Sequence, residues 1–229
     1  MNIQFIQKLT LLDYPGKVAC TVFLHGCNLR CPFCHNAGLV IRPPEPSVSL
    51  ETLCAFLKKR EGILDGVAIT GGEPLMDDGV FELLRAIKAL GYPVKLDTNG
   101  FFPDRLQYAI EEGLCDYVAM DVKNSEEKYA ETCGLKNVDI YAVKRSISIL
   151  AEGKVEYEFR TTVTKDFHTK ESLLGAVSLI PKNARYYMQA YKDSGDTIGA
   201  PCEEYSQNDL KALCQAVSEV VPLAEIRGI

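Results

Sequence analysis

No stretch of the 229-residue chain approaches the roughly eighteen consecutive apolar residues of a membrane span, so no membrane-crossing helix is expected. The N-terminus, Met-Asn-Ile-Gln-Phe-Ile-Gln-Lys-Leu-Thr, has neither a basic n-region nor a long apolar h-region, which argues against a secretory signal. Positive charge is in deficit. The formal net charge is -6, whereas a phosphate backbone calls for a concentrated basic face, so nucleic acid is not an expected partner. Internal repeats and low-complexity segments are missing too, and no shift in composition divides the chain. Cysteine, by contrast, is abundant: nine residues, expected as reduced thiols or metal ligands in a chain without an export signal. The expectation is one cytoplasmic domain over residues 1–229.

What is present alternates. Residues 1–17 read as an N-terminal arm closing in Asp13-Tyr14-Pro15-Gly16, whose Pro and Gly suit a tight turn. Residues 18–24 are β-branched and aromatic enough for a buried strand. A cysteine loop follows, then Arg42-Pro43-Pro44-Glu45-Pro46, a stiff extended connector. Ser49 suits the N-cap of a helix carrying Leu50, Leu53, Cys54 and Leu57. Further strands are predicted at 66–70, 93–97, 117–122, 155–163 and 185–191. Between them, helices are marked by Val80, Leu83, Leu84 and Ile87 before Gly91, and by Leu106, Ala109 and Ile110 after Pro103. Ile140, Val143, Ile147 and Leu150 mark another, residues 173–180 a further one before Pro181, and the polar segment 124–137 has room for a short one. Residues 192–206 read as a mobile loop, and a last helix over Leu210, Leu213, Cys214 and Val217 completes 192–229. Strand then helix, six times over, calls for a parallel sheet wrapped by helices. A closed barrel of eight units takes roughly 250 residues. The expected fold is therefore α/β, an incomplete (β/α)6 partial TIM barrel over residues 18–191.

The unusual residues share a position. Cys27, Cys31 and Cys34, in C-x3-C-x2-C spacing, follow the first predicted strand; Gly71-Gly72-Glu73-Pro74, Asp97-Thr98-Asn99-Gly100 and Asp121-Val122-Lys123 end the next three. In parallel α/β folds those carboxyl ends form one rim, where ligands bind. Taken singly, each motif has an ordinary explanation. Gly71-Gly72 would be a turn, and Asp97 and Asp121 would be helix caps or loop acids. The cysteines with His25 or His35 would make a structural Cys3His zinc site. The other explanation of the cysteines is an iron–sulfur cubane. Full ligation takes four thiolates, so a missing fourth marks an iron open to a small molecule. Spacing alone leaves both metals open.

With the aromatic Phe33 before its last cysteine, this loop resembles the signature of the radical S-adenosylmethionine (SAM) superfamily. Cys34-His35-Asn36, and the run Leu11-Leu12-Asp13-Tyr14-Pro15-Gly16-Lys17, make it similar to the activating enzymes of glycyl radical enzymes, that of anaerobic ribonucleoside-triphosphate reductase above all. The resemblance spans about residues 8 to 191, strongest up to the fourth strand end. It implies a [4Fe-4S] cluster on Cys27, Cys31 and Cys34, with SAM chelating the open iron. It further implies reductive cleavage of SAM, hydrogen abstraction from a glycine of a partner enzyme, and a flavodoxin- or ferredoxin-type electron donor. The cofactor carries the chemistry, so no acid–base residue is nominated. SAM contacts are implied for Phe33, His35, Gly71, Gly72, Glu73, Asp97, Thr98, Asn99, Asp121 and Lys123. The glycines would let backbone approach the ligand, and Glu73 would add negative charge. In some members the carboxylates also hold a monovalent cation. Arg160, Thr162 and Gln189 are candidate cavity residues, although single polar residues on strands are often only packed and hydrogen-bonded. Where some members place a SAM-contacting histidine, this chain has Tyr191-Lys192.

The six other cysteines (20, 54, 115, 133, 202 and 214) form no C-x2-C pair, and the segment after the cluster loop is too short for a ferredoxin-like insert, so no second cluster is expected. Two competing functions stand beside the activase. One is a small-molecule radical SAM enzyme like 7-carboxy-7-deazaguanine synthase, whose last cysteine is typically followed by Asp-Thr rather than His-Asn. The other is a zinc-stabilised binding domain. Partner specificity is expected in residues 124–137 and 192–206.

Overall fold

The computed structural model describes residues 2–42, 48–193 and 195–229, so the proline-rich connector at 43–46 lies outside the described residues. Its centre is one eight-stranded sheet whose strands pair in chain order. β1 (Ile3–Thr10) runs antiparallel to β2 (Ala19–Leu24). The remaining pairings, β2 with β3 (Gly66–Gly71), β4 (Val94–Thr98), β5 (Tyr117–Asp121), β6 (Glu156–Val163), β7 (Tyr186–Ala190) and β8 (Ala224–Arg227), are all parallel. β1 and β8 are not paired with each other, so the barrel stays open.

Each parallel strand from β2 to β7 is followed by helix: α1 (Ala37–Ile41) and α2 (Leu50–Lys58), α3 (Val80–Ala89), α4 (Pro103–Glu111), α5 (Tyr129–Thr132) and α6 (Ile140–Ala151), α7 (Lys170–Val177), then α8 (Gln207–Ser218). The expected six units are present. Their starts follow local chemistry: Ser49 Oγ accepts from Thr52 N–H, and Thr169 and Ser172 form a reciprocal capping pair.

The two ends of the sheet differ from expectation. The N-terminal arm is a strand, disguised because register shifts at both ends of its pairing with β2 break the period-two pattern. The C-terminal segment is more than loop and helix. It ends in β8, four residues too short and too charged to read as a strand, and α1 was not expected either.

Strand periodicity sorts side chains onto two faces. Cys20, Val22, Leu24, Val118, Met120 and Val122 join the main core beneath the helices. The opposite face carries a separate small cluster of Tyr14, Ala19, Tyr117 and Ala119. Tyr14, from the Asp13-Tyr14-Pro15-Gly16 turn, is buried with its ring 6.1 Å from Tyr117 and closes the floor. Beside it Glu158, fully buried, accepts from Tyr117 Oη at 2.7 Å and from Arg227 at 2.6 and 2.8 Å. β8 therefore contributes the cation that a buried carboxylate requires. With the floor sealed, the open end of the barrel is the carboxyl rim.

Candidate active site

The carboxyl ends of the strands surround a cavity of about 210 Å3. Every residue expected at the site lines it: Cys27, Cys31, Phe33, Cys34 and His35 after β2; Gly71, Gly72 and Glu73 after β3; Asp97, Thr98 and Asn99 at β4; Asp121 and Lys123 at β5; Arg160 and Thr162 on β6; and Gln189 on β7. Leu29, Asn36, Val40 and Thr70 line it as well. His25 does not. Its Nε2 lies 2.8 Å from the Arg42 carbonyl.

The loop after β3 is placed by backbone contact. Gly72 N–H donates to Leu24 O at 3.0 Å and Glu73 N–H to Gly26 O at 2.8 Å. A Cβ on Gly72 would lie 1.8 Å from Gly26 O, and one on Gly71, where φ is +127°, would lie 2.2 Å from Leu24 O. The two glycines are thus required by the neighbouring strand end, before any ligand is considered. Asn36 Nδ2 donates to Gly71 O at 2.9 Å, so the residue after Cys34-His35 fastens the cysteine loop to the glycines.

Glu73 is 2% exposed, and its carboxylate accepts three hydrogen bonds from within the protein. Oε1 accepts from Leu75 N–H at 3.1 Å and Thr98 Oγ1 at 2.8 Å, and Oε2 accepts from Asn99 N–H at 2.6 Å. It clasps the β3 and β4 ends together. Burial pushes its pKa up to about 7, against the pull of those three donors.

Next to it is a chain of charge. Burial alone would raise Asp97, but Arg160 and Lys95 beside it hold it below the usual carboxylate range. The same opposition leaves Asp121 at about 2, with Lys123 and Arg160 overcoming its desolvation. Arg160 reaches both acids, at 3.1 Å to Asp121 and 3.4 Å to Asp97, and Lys123 Nζ donates to Asp121 at 2.8 Å.

His168 was not foreseen. It is fully buried, takes Thr164 N–H on Nδ1 at 3.2 Å, and so carries its proton on Nε2, which donates to Lys123 O at 2.9 Å. Its ring edge also faces Phe33 at 6.1 Å. Tyr191, standing where a histidine was missed, stacks on His35 with ring centres 5.1 Å apart.

The three cysteines fit an iron–sulfur cluster by chemistry and surroundings. Three thiols and no fourth line the cavity, and Cys27 Sγ accepts from Leu29 N–H at 3.4 Å and Asn99 Nδ2 at 3.8 Å. Burial pushes Cys27 up to about 12 and raises Cys34, while a hydrogen bond from buried Cys133 draws Cys31 down. Loading a metal must therefore release protons. Outside the cavity, Arg30 N–H donates to Cys133 O at 2.9 Å and Gly199 N–H to Pro32 O at 2.8 Å, so the two long polar loops brace the cysteine loop.

Residues 21–177 match the Radical SAM superfamily. The chain is 31% identical to a provisionally named glycyl-radical enzyme activating enzyme of Methanocaldococcus jannaschii, over 98% of this chain and 95% of that one. It is 40% identical to the 7-carboxy-7-deazaguanine synthase of Halobacterium salinarum, but over 39% of this chain and 36% of that one. In three dimensions it is similar to Streptococcus suis SuiB bound to the precursor peptide SuiA, with a TM-score of 0.70 at 17% identity. That superposition covers 91% of this chain and 48% of SuiB, so the chain spans about half the length of that protein.

Proposed function

The chain belongs to the radical SAM superfamily and to its glycyl-radical enzyme activases, and from that premise we propose that it activates an anaerobic ribonucleoside-triphosphate reductase. Cys27, Cys31 and Cys34 would hold the [4Fe-4S] cluster, leaving one iron for SAM. When bound, these groups supply the electron and the 5′-deoxyadenosyl group that takes hydrogen from a glycine Cα of the partner.

The chain's own part is to place and protect. Phe33, held by Phe167 and His168, offers a wall for the adenine. Lys123 and Arg160 present positive charge to the carboxylate end of SAM. Glu73 and Asn36 lock the strand-end loops around it, and the sealed floor leaves the rim as the way in. The observation that carries this reading is the union of all the family's motif residues around one cavity.

The proposal takes residues 1–229 as one radical SAM domain acting in the cytoplasm, with a flavodoxin- or ferredoxin-type protein as electron donor. Among the described residues no helix is long and apolar enough to cross a membrane. Partner choice is assigned to residues 124–137 and 192–206, which the Cys133 and Gly199 backbone bonds bring beside the cysteine loop.

The test is anaerobic incubation of the reduced, cluster-loaded protein with SAM and each candidate reductase. A glycyl doublet in electron paramagnetic resonance is expected with the ribonucleotide reductase, and its absence with a competent cluster rejects that partner. The 40% match to a deazaguanine synthase favours a second reading, a small-molecule enzyme. Turnover of a tetrahydropterin to a deazaguanine would establish it instead.

A further inference from the structure

All four oxygens of Asp97 and Asp121 face a cationic side chain of the protein. Lys95 Nζ donates to Asp97 Oδ1, and Arg160 Nη1 approaches Asp97 Oδ2 at 3.4 Å. Arg160 Nε approaches Asp121 Oδ1 at 3.1 Å, and Lys123 Nζ donates to Asp121 Oδ2 at 2.8 Å. Three cationic groups thus stand against two carboxylates. Lys95 is the unusual member. It sits two residues before Asp97 on the same face of β4, 2% exposed, flanked by Val94 and Leu96 on the opposite face. A buried ammonium is costly unless it is paired. The carboxylate in front of it supplies that partner.

A monovalent cation at this carboxylate pair would take the same oxygens as ligands. It would also meet the repulsion of Lys95, Arg160 and Lys123, which already stand at close range against those oxygens. The donor set does not fit an added ion. We infer that this chain carries its own cation at the Asp97–Asp121 pair, the Lys95 ammonium assisted by Arg160, and binds no monovalent metal ion there. The inference rests on the proposed SAM site only for what the network faces.

Melting temperature in alkali-metal salts tests it directly, because a cation that binds the folded state raises that temperature with its concentration. The cluster-loaded protein is melted anaerobically in tetramethylammonium chloride, whose cation is too large for the carboxylate pair, and in potassium or sodium chloride at the same ionic strength. Wild type is expected to melt within about 1 °C in all three salts. Lys95→Met, which leaves Asp97 with Arg160 alone, should melt lower in tetramethylammonium and recover by about 3 °C in 0.1 M potassium or sodium. Its SAM dissociation constant should show the same rescue, with wild type changing less than twofold. A saturable rise of wild type in potassium or sodium overturns the inference, as does a folded Lys95→Met with no salt preference. Should that variant not fold, the wild-type titration still decides. Failure of SAM to bind in every salt would sink the proposed function, while the melting data would still judge this inference.

Discussion

Glu73→Gln separates the clasp from its charge. Glu73 is 2% exposed, so solvent screening does little, and burial holds its pKa at about 7 against an ordinary 4.5. The folded chain therefore keeps a proton on Glu73 through a window in which the unfolded chain has lost it. Stability from this group is fully present below about pH 4.5 and is lost as pH rises through about 7. Between pH 5 and 7.5 the loss comes to about 2 kcal/mol, since each pKa unit is worth about 1.4 kcal/mol. This slope runs opposite to that of Asp97 and Asp121, whose lowered pKa values contribute stability that is present above about pH 3.8 and lost as pH falls below it. Glutamine keeps the shape but does not titrate, and its amide N–H2 must face one of the three donors, at a cost of about 1–3 kcal/mol. Urea unfolding of the metal-free protein at several pH values measures both effects. The wild type should lose about 2 kcal/mol more than Glu73→Gln over that window. Parallel pH profiles would refute the assignment of a buried, high-pKa clasp.

Three further substitutions probe other joints. Gly72→Ala sets a Cβ 1.8 Å from Gly26 O, so it should destabilise the chain by about 1–3 kcal/mol in urea unfolding and reduce iron retention after reconstitution. His168→Phe keeps the packing on Phe33 but strands Thr164 N–H and Lys123 O in a buried setting; about 2–4 kcal/mol of stability should go, and SAM affinity should fall in equilibrium dialysis. Arg227→Met removes the cation from fully buried Glu158 at the floor of the barrel. Because Arg227 is itself about one-third exposed, the cost should be near 2 kcal/mol by thermal or urea unfolding, with SAM affinity within twofold of wild type.

The rim was legible because each of its motifs is local, a few residues after a strand that announces itself by β-branched and apolar composition. Parallel alternation then forces those strand ends to one side. The purpose of individual residues was less legible, because their partners are distant in the chain. Gly71 and Gly72 suggested room for a ligand, but the constraint comes from Leu24 and Gly26 on the adjacent strand end. Glu73 suggested charge offered to a ligand, but its oxygens belong to Leu75, Thr98 and Asn99. Lys95 carried a readable signal: a lysine inside a buried strand, on the same face as Asp97, needs a partner. His168 lies in a polar stretch where nothing marked it as buried. β1 was hidden by its two register shifts, and β8 by its brevity.

The central claim is that Cys27, Cys31 and Cys34 hold a cluster with one iron left for SAM. Electron paramagnetic resonance of the anaerobically reconstituted and reduced protein, with and without SAM, addresses it directly. The account predicts a reduced [4Fe-4S] signal that shifts on adding SAM and disappears when any one of the three cysteines is changed to alanine. Protein that holds zinc at unit stoichiometry with no iron or sulfide would contradict it, as would a cluster signal that SAM leaves unchanged.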